Sequence, residues 1–151
     1  MTGVQTCALP IFSFKREGNY LFLILPNGRK LSFPFPEVEE ENWRGRRVKN
    51  VTAMWVSSYT RKWERRKIIG SNFFQSAVQG LCRDIIMEAH VRLEKAGYRN
   101  ILSVHDESLN SVPDDDSYHI KEYSKILSMQ VAWCPKLPIE SDCWEGDRYR
   151  K

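Results

Sequence analysis

The residues best suited to chemistry in this chain are His105, Asp106 and Glu107, which separate two strand-like stretches. Residues 101–104 are mostly apolar and predict a short strand, and residues 108–112 predict a returning one. A carboxylate in a tight turn between rigid strands is preorganised to hold the divalent cation of a polyphosphate-handling enzyme. Acidic residues are also common in turns for local reasons. Neighbouring side chains of extended chain point apart, so Glu107 is not an obvious second ligand.

A second candidate site is the run of cations between residues 61 and 67. Five of its seven residues are basic and one is tryptophan. Such cations can neutralise backbone phosphates while an indole packs or stacks, which predicts nucleic-acid contact through Arg61, Lys62, Arg65 and Arg66. The alternative is a solvated helix face. The net charge of +4 permits nucleic-acid binding without proving it.

The strongest signal for an element that could position these residues is a helix from Asn72 to Gly97. Asn72 and Gln75 have the spacing of a reciprocal N-terminal cap, and Gly97 suits a left-handed helix stop. Apolar residues follow the three-and-four spacing of a core-facing stripe. They are Phe74, Ala77, Val78, Leu81, Ile85, Ala89, Leu93 and Ala96.

A polar stripe runs along the same predicted helix. Ser76, Gln79 and Arg83 lie at positions i, i+3 and i+7, and glutamine and arginine are types that reach minor-groove acceptors and phosphates. An ordinary solvated helix face is the alternative.

The N-terminal part predicts strands. Residues 20–25 and 30–35 flank an Asn27-Gly28 step, which is a strong hairpin signal, and residues 12–14 are a candidate third strand. Four glutamates within residues 37–41, after two prolines, predict an exposed loop.

The segments on either side of the central helix predict a further strand and a second helix. Residues 51–56 predict another strand. Asp114, Asp115 and Asp116 predict a solvated entry to a second helix rather than a metal site. Helical spacing continues from Ile120 to Met129.

Composition sets further bounds. The length of 151 residues suits one modest globular domain, and the few, scattered cysteines predict reduced thiols rather than a disulfide framework. No apolar run approaches the roughly 18 residues of a membrane span.

Residues 1–11 look like a translated sequencing-library adapter and are set aside. The alternative is a native apolar N-terminus or part of a signal peptide.

Several motifs in order resemble the C-terminal palm of family A DNA polymerases, in particular its phage branch. The motifs are Gln-Gly-Leu-Cys-Arg-Asp-Ile-Ile at residues 79–86, then Gly97-Tyr98, then His-Asp-Glu at residues 105–107. Residues 25–31 resemble the Leu-Pro-Ser-Gly-Arg hairpin of that branch. Residues 63–70 resemble the Lys-Trp-Glu-Arg stretch of that branch, and residues 133–139 and 144–151 resemble its C-terminal ending. The resemblance covers residues 12–151.

The resemblance implies roles for individual residues. Asp106 would be the metal-binding aspartate of motif C, Glu107 its supporting acidic neighbour, and His105 would lie against the primer terminus. Gln79 would contact the minor groove of the template–primer duplex, and Arg83 would lie near the same helix face. Asparagine is common in that branch at the position of Ser76, whose shorter side chain reaches less far towards the groove.

The resemblance also implies an α+β fold. A long helix packs on a small antiparallel sheet that carries the His-Asp-Glu hairpin, with an N-terminal β-hairpin insertion. Residues 12–70 would form that insertion and a basic connector, and residues 71–151 the palm subdomain. The second catalytic aspartate and the nucleotide-binding fingers helix would lie upstream of Phe12, so the chain is expected to be a truncated piece that does not polymerise alone.

The implied reaction uses two Mg²⁺ ions, of which this chain supplies the Asp106 ligand. The implied partners are primer–template DNA and deoxynucleoside triphosphates, in a monomer in the host cytoplasm and not at a membrane. One alternative is a non-catalytic nucleic-acid-binding α+β module. A weaker one is a nuclease using Asp106 and the triple aspartate, whose acids are not expected to converge.

Overall fold

The computed structural model describes residues 12–149, so the adapter interpretation of residues 1–11 lies outside the described part. The described chain is α+β, as expected, with a long helix and small antiparallel sheets. It forms two compact units that divide between Gly80 and Leu81, inside the long helix. The predicted domain boundary, between residues 70 and 71, lies at the start of that helix and stays a prediction.

The elements in chain order, within residues 12–149, are eight strands and two helices. They are β1 (Ser13–Glu17), β2 (Tyr20–Ile24), β3 (Lys30–Pro34), β4 (Glu37–Trp43), β5 (Arg46–Val56), β6 (Trp63–Ile68), α1 (Gly70–Lys95), β7 (Arg99–Val104), β8 (Glu107–Ser111) and α2 (Ile120–Leu127).

The first sheet of the N-terminal unit has the order β1-β2-β3 and confirms the predicted hairpin and third strand. The Asn27-Gly28 turn is closed by the Gly28 backbone N–H, which donates to the Leu25 carbonyl at 2.8 Å, and Gly28 is left-handed at φ +84°. Leu23 and Phe33 point to one face of this sheet and are buried.

The second sheet has the order β4-β5-β6 and corrects the loop predicted for residues 37–41. These glutamates lie in β4, are exposed, and pair with β5 in register. Cations across the sheet compensate their charge, since Lys67 Nζ lies 2.5 Å from Glu41 Oε2 and Lys49 Nζ lies 3.7 Å from Glu40 Oε1. Prolines and a run of acids are local signals for a loop, whereas this charge compensation is non-local and leaves no local signal.

Helix α1 is confirmed, but its start is two residues earlier than predicted. The Asn72 side chain lies in the first turn, where Oδ1 accepts a hydrogen bond from the Ile69 backbone N–H at 3.0 Å. The predicted cap with Gln75 is therefore wrong, and Asn72 itself reaches back to satisfy an N-terminal donor.

The apolar stripe of α1 is only partly buried. Ala77, Ala89 and Leu93 are buried, whereas Phe74 is 66% exposed and Val78 is 39% exposed. In the N-terminal unit the helix approaches the first sheet through Phe73, whose ring packs edge-on against Phe33 at 4.8 Å.

The C-terminal unit holds β7, β8 and α2. The predicted helix stop is confirmed, since Gly97 has φ +91° and the Tyr98 N–H donates to the Leu93 carbonyl at 2.9 Å. The triple aspartate is not at a helix entry, because α2 starts at Ile120 after an N-cap at His119. Asp115 instead accepts a hydrogen bond from the Ser117 N–H at 2.8 Å within a turn. Helix α2 ends at Leu127, so Met129 lies beyond it.

No helix in the described range, residues 12–149, is long and apolar enough to cross a membrane.

Candidate functional site

The loop between β7 and β8 consists of His105 and Asp106. Val104 pairs with Glu107 across the antiparallel ladder, so the loop has two residues and Glu107 begins β8. His105 adopts a left-handed conformation at φ +53°, which is uncommon for a residue with a side chain. Both loop side chains are exposed. The ladder thus presents the Asp106 carboxylate at the tip of two paired strands.

Tyr149 contacts the acidic neighbour of this loop. Its hydroxyl donates a hydrogen bond to Glu107 Oε2 at 2.7 Å. This hydrogen bond is the largest cause of the raised pKa of Tyr149, and burial is the second. The bond favours the neutral hydroxyl, because only that form can donate to the carboxylate. This contact fixes the Glu107 carboxylate. Sequence reasoning assigned Tyr149 no role, since the two residues are 42 positions apart.

A polar network ties the two strands together below the loop. The Asn100 side-chain amide donates to Ser108 Oγ at 2.9 Å, and Ser108 Oγ donates to Asn110 Oδ1 at 2.7 Å. The Asn110 amide donates to the Tyr98 carbonyl at 2.7 Å. Ser108 and Asn110 are two residues apart on β8 and so share one face, which is the signal that could have indicated a half-buried polar network.

Helix α2 braces the same network through Tyr123. Its hydroxyl donates to Asn110 Oδ1 at 2.8 Å and lies 3.1 Å from the Ser108 carbonyl oxygen. Burial is the largest cause of the raised pKa of Tyr123. The Tyr98 ring packs edge-on against Tyr123 at 5.3 Å. The strands that carry Asp106 therefore have a hydrogen-bonded and aromatic support.

The polar stripe lies on α1 as predicted. Ser76 is half-buried, and Gln79 and Arg83 are exposed. The boundary between the two compact units falls after Gly80, so Ser76 and Gln79 belong to the first unit and Arg83 to the second. The charge of Arg83 adds to burial, the larger cause, in lowering the pKa of His90.

The cation cluster lies on and before strand β6, so the helix-face alternative is wrong. Side chains alternate along a strand, so Arg65 and Arg66 point to opposite faces of the sheet. Arg65 is engaged within the sheet: Nη1 donates to the Phe35 carbonyl at 2.9 Å, and Nη2 donates to Glu37 Oε1 at 2.8 Å. Its guanidinium therefore holds β4 and β6 together.

Arg61 and Lys62 precede this strand in the turn after β5. Arg61 is left-handed at φ +58°, and its N–H donates to the Ser57 carbonyl at 3.0 Å. Both side chains are exposed, and neither has an ion-pair partner among residues 12–149. These two cations are therefore accessible to an external anion. The cluster lies in the first compact unit and the His105–Asp106 loop in the second.

Within the described residues, no three His, Cys, Asp or Glu side chains form a group that could hold a metal ion by themselves. Asp106 and the triple aspartate thus do not make such a group. The three cysteines in this range, Cys82, Cys134 and Cys143, are free thiols.

Comparison with known proteins relates the chain to a polymerase. The DNA polymerase of Bacillus phage SP02 is 29% identical to it over 139 residues. The aligned part covers 92% of this chain and 21% of that protein, so the chain spans about a fifth of the length of the curated relative it matches. No family model matches the chain. No solved structure matches it either. The chain is related to a segment of a phage DNA polymerase, and family A membership and the palm assignment stay predictions.

Proposed function

We propose that this chain is part of a template-directed DNA polymerase of the phage-type family A class, acting in DNA replication. The observation that carries the proposal is the similarity to the phage SP02 DNA polymerase along 92% of the chain. In the proposed reaction the primer 3′-oxygen bonds to the α-phosphorus of a deoxynucleoside triphosphate, and pyrophosphate leaves. The aspartate and the fingers helix that complete the machinery would belong to a longer protein, so the isolated chain is expected to be inactive.

Asp106 is the residue proposed to hold Mg²⁺. Mg²⁺ is commonly bound by one or two carboxylates together with substrate phosphates and waters, rather than by an all-protein cage. An exposed carboxylate in a two-residue loop fits that mode of Mg²⁺ binding, even though residues 12–149 hold no group of three ligands. When bound, the metal ions would stabilise the charge that develops on the attacking and leaving oxygens.

The neighbours of Asp106 have supporting roles in this proposal. The hydrogen bond from Tyr149 to Glu107 at 2.7 Å holds the Glu107 carboxylate in one orientation beside the loop. The resemblance to family A polymerases implies that His105, which shares the exposed loop with Asp106, lies against the primer terminus. The network of Asn100, Ser108 and Tyr123 keeps the loop rigid, which a metal site needs.

The proposed partners are primer–template DNA and deoxynucleoside triphosphates. Gln79 and Arg83 are proposed to track the minor groove from α1, with Ser76 in a lesser role. Arg61, Lys62 and Arg66 are proposed to contact phosphates, whereas Arg65 is largely occupied by Glu37 and the Phe35 carbonyl. We further propose that the protein acts as a monomer in the host cytoplasm.

Metal titration of the 151-residue chain tests the proposed site. Mn²⁺ broadens nuclear resonances close to it, so the backbone amides of His105 and Asp106 are expected to broaden first. Asp106→Asn should abolish that local effect, while the matched control Asp116→Asn, an exposed acid of the triple aspartate, should leave it intact. Equal broadening at Asp116, or none at the loop, would contradict the assignment.

The second candidate function is a non-catalytic nucleic-acid-binding module. The observation that favours it is the pair of exposed cations Arg61 and Lys62, which have no ion-pair partner among residues 12–149. Such a module would bind nucleic acid through its cations and would show no local response to Mn²⁺ at His105 and Asp106. The same titration therefore separates the two candidates.

A further inference from the structure

The outer face of the first sheet carries two neighbouring aromatic rings. Tyr20 and Phe22 lie two residues apart on β2 and so point to the same side, opposite the face that buries Leu23. Their rings are stacked, with centroids 5.8 Å apart and planes 16° apart. Tyr20 is 43% exposed although it lies in the centre strand of its sheet.

Two further rings extend this surface towards the second sheet. Phe35 lies 6.5 Å from Tyr20 between ring centroids, and Phe35 and Trp63 line the same groove as Tyr20, of about 560 Å³. Phe35 is 49% exposed and Trp63 is 61% exposed. We call Tyr20, Phe22, Phe35 and Trp63 the aromatic face.

The backbone pins Phe35 in this exposed position. Its N–H donates to the Asn19 carbonyl at 2.6 Å, and its carbonyl accepts the bond from Arg65 at 2.9 Å. Phe35 is also left-handed at φ +50°, which is costly for an aromatic residue. These two hydrogen bonds hold the Phe35 backbone in this conformation, with about half of the residue exposed to solvent.

Cations flank the aromatic face on both sides. Lys30 Nζ lies 5.0 Å above the Phe22 ring, and Lys15 occupies the β1 position opposite Phe22. Both lysines share one carboxylate, Glu17, at 2.9 and 3.0 Å, which leaves that end with a net positive charge. At the other end Arg61 and Lys62 directly precede Trp63 and have no ion-pair partner within residues 12–149.

We propose that the aromatic face binds single-stranded nucleic acid, with unpaired bases stacked on its rings and phosphates near the flanking cations. Exposed rings interleaved with cations are how sequence-tolerant single-strand sites work, since every base has a stacking face. Duplex bases are already stacked on each other and do not offer those faces. The inference concerns a different surface from the Asp106 loop and stands without the proposed polymerase activity.

The test compares three probes for binding to the 151-residue chain by fluorescence anisotropy. They are an oligothymidylate of about 12 nucleotides, an abasic strand with the same number of phosphates, and a duplex of equal length. The oligothymidylate should bind most tightly, because only it offers unpaired bases. An oligouridylate of the same length distinguishes DNA from RNA as the source of the strand.

Ring removal then locates the site. Tyr20→Leu and Trp63→Leu should each weaken oligothymidylate binding roughly 5- to 150-fold, the range for loss of one base–aromatic stack. Trp63→Phe keeps a ring and should retain most of the affinity. The matched control is Tyr59→Leu, because Tyr59 is 91% exposed and does not line the groove. Circular dichroism melting of each variant checks that it is folded.

Equal affinity for the oligothymidylate and the abasic strand would overturn the proposal, because binding would then be electrostatic only. Equal effects of Tyr20→Leu and Tyr59→Leu would also overturn it. Self-association abolished by Tyr20→Leu, with no change in oligonucleotide affinity, would assign the face to a second copy of the chain. Asp106→Asn should leave all these affinities unchanged, so failure of the polymerase proposal and failure of this one give different results.

Discussion

At the scale of single residues, the candidate site depends on the strained backbone of His105 and on the hydrogen bond that Tyr149 donates to Glu107. His105 occupies the left-handed region at φ +53°, which costs about 1 kcal/mol or more for an L-residue. A glycine or asparagine would suit that position better on local grounds. Strain of this kind is concentrated at functional sites, and here it accompanies the exposed Asp106 carboxylate.

His90 is a second residue whose environment has a measurable consequence. It is buried in α1, and its Nε2 has no hydrogen-bond partner within residues 12–149. Burial and then the charge of Arg83 lower the pKa of His90, while Glu94 opposes them. The folded chain therefore holds the imidazole neutral at a pH where the unfolded chain would already protonate it.

We predict that stability falls as the pH drops below about 6.5, the ordinary pKa of histidine. The unfolded state binds the proton first, so the free energy of unfolding decreases until the pH reaches the lowered pKa of the folded state. Urea denaturation between about pH 7.5 and 5.5 measures this slope. His90→Leu should flatten it, whereas His119→Leu, at an exposed position, should leave it unchanged. An unaltered slope in His90→Leu would contradict the assignment.

At the scale of elements, the packing of α1 on the first sheet depends on Gly80. A Cβ atom there would lie 2.9 Å from Leu25 Cδ1 and 3.1 Å from Arg29 Nη2. Leu25 is buried, and Arg29 Nη2 donates to the Gly80 carbonyl at 2.8 Å, so neither group can easily move away. The glycine in the middle of this helix is thus explained by close approach to the sheet.

We predict that Gly80→Val destabilises the chain by about 1–3 kcal/mol, the usual cost of overpacking. The matched control is Gly70→Val, because a Cβ at Gly70 meets no atom within 4 Å. Chemical denaturation of both variants measures the difference in the free energy of unfolding. Equal stability of the two variants would show that the approach at Gly80 is not tight in solution.

Local signals predicted some elements correctly and failed for others. The Asn27-Gly28 hairpin and the Gly97 helix stop follow from short-range chemistry, and both are confirmed. Strand β4 was missed because its glutamates are stabilised by cations on β5 and β6, which lie far along the chain. The entry to α2 was misplaced because Asp115 forms its own turn several residues earlier.

At the scale of the whole molecule, the sequence predicted an α+β chain and the relationship to a DNA polymerase. It did not predict the support of the candidate site, which is assembled from separate segments. Tyr149 reaches Glu107, and Tyr123 of α2 reaches Ser108 of β8. Periodicity and turn signals carry no information about such pairings. The aromatic face was not predicted for the same reason, since Tyr20 and Phe22 of β2 meet Phe35, which follows β3, and Trp63 of β6.

The division into two compact units separates the candidate sites. The aromatic face and the cations Arg61 and Lys62 belong to the first unit, and Asp106 with its supporting network belongs to the second. Substitutions in one set should therefore leave the other measurable. This allows single-strand binding and nucleotidyl transfer to be tested independently.

The most direct measurement is single-turnover primer extension by the longer polymerase that we propose contains this chain. Asp106→Asn should lower the rate at least about 1,000-fold, because a catalytic metal contributes several kcal/mol of transition-state stabilisation. DNA affinity should stay nearly unchanged, and Asp116→Asn should extend primers normally. Full extension activity in Asp106→Asn would contradict the proposal that Asp106 holds the catalytic metal.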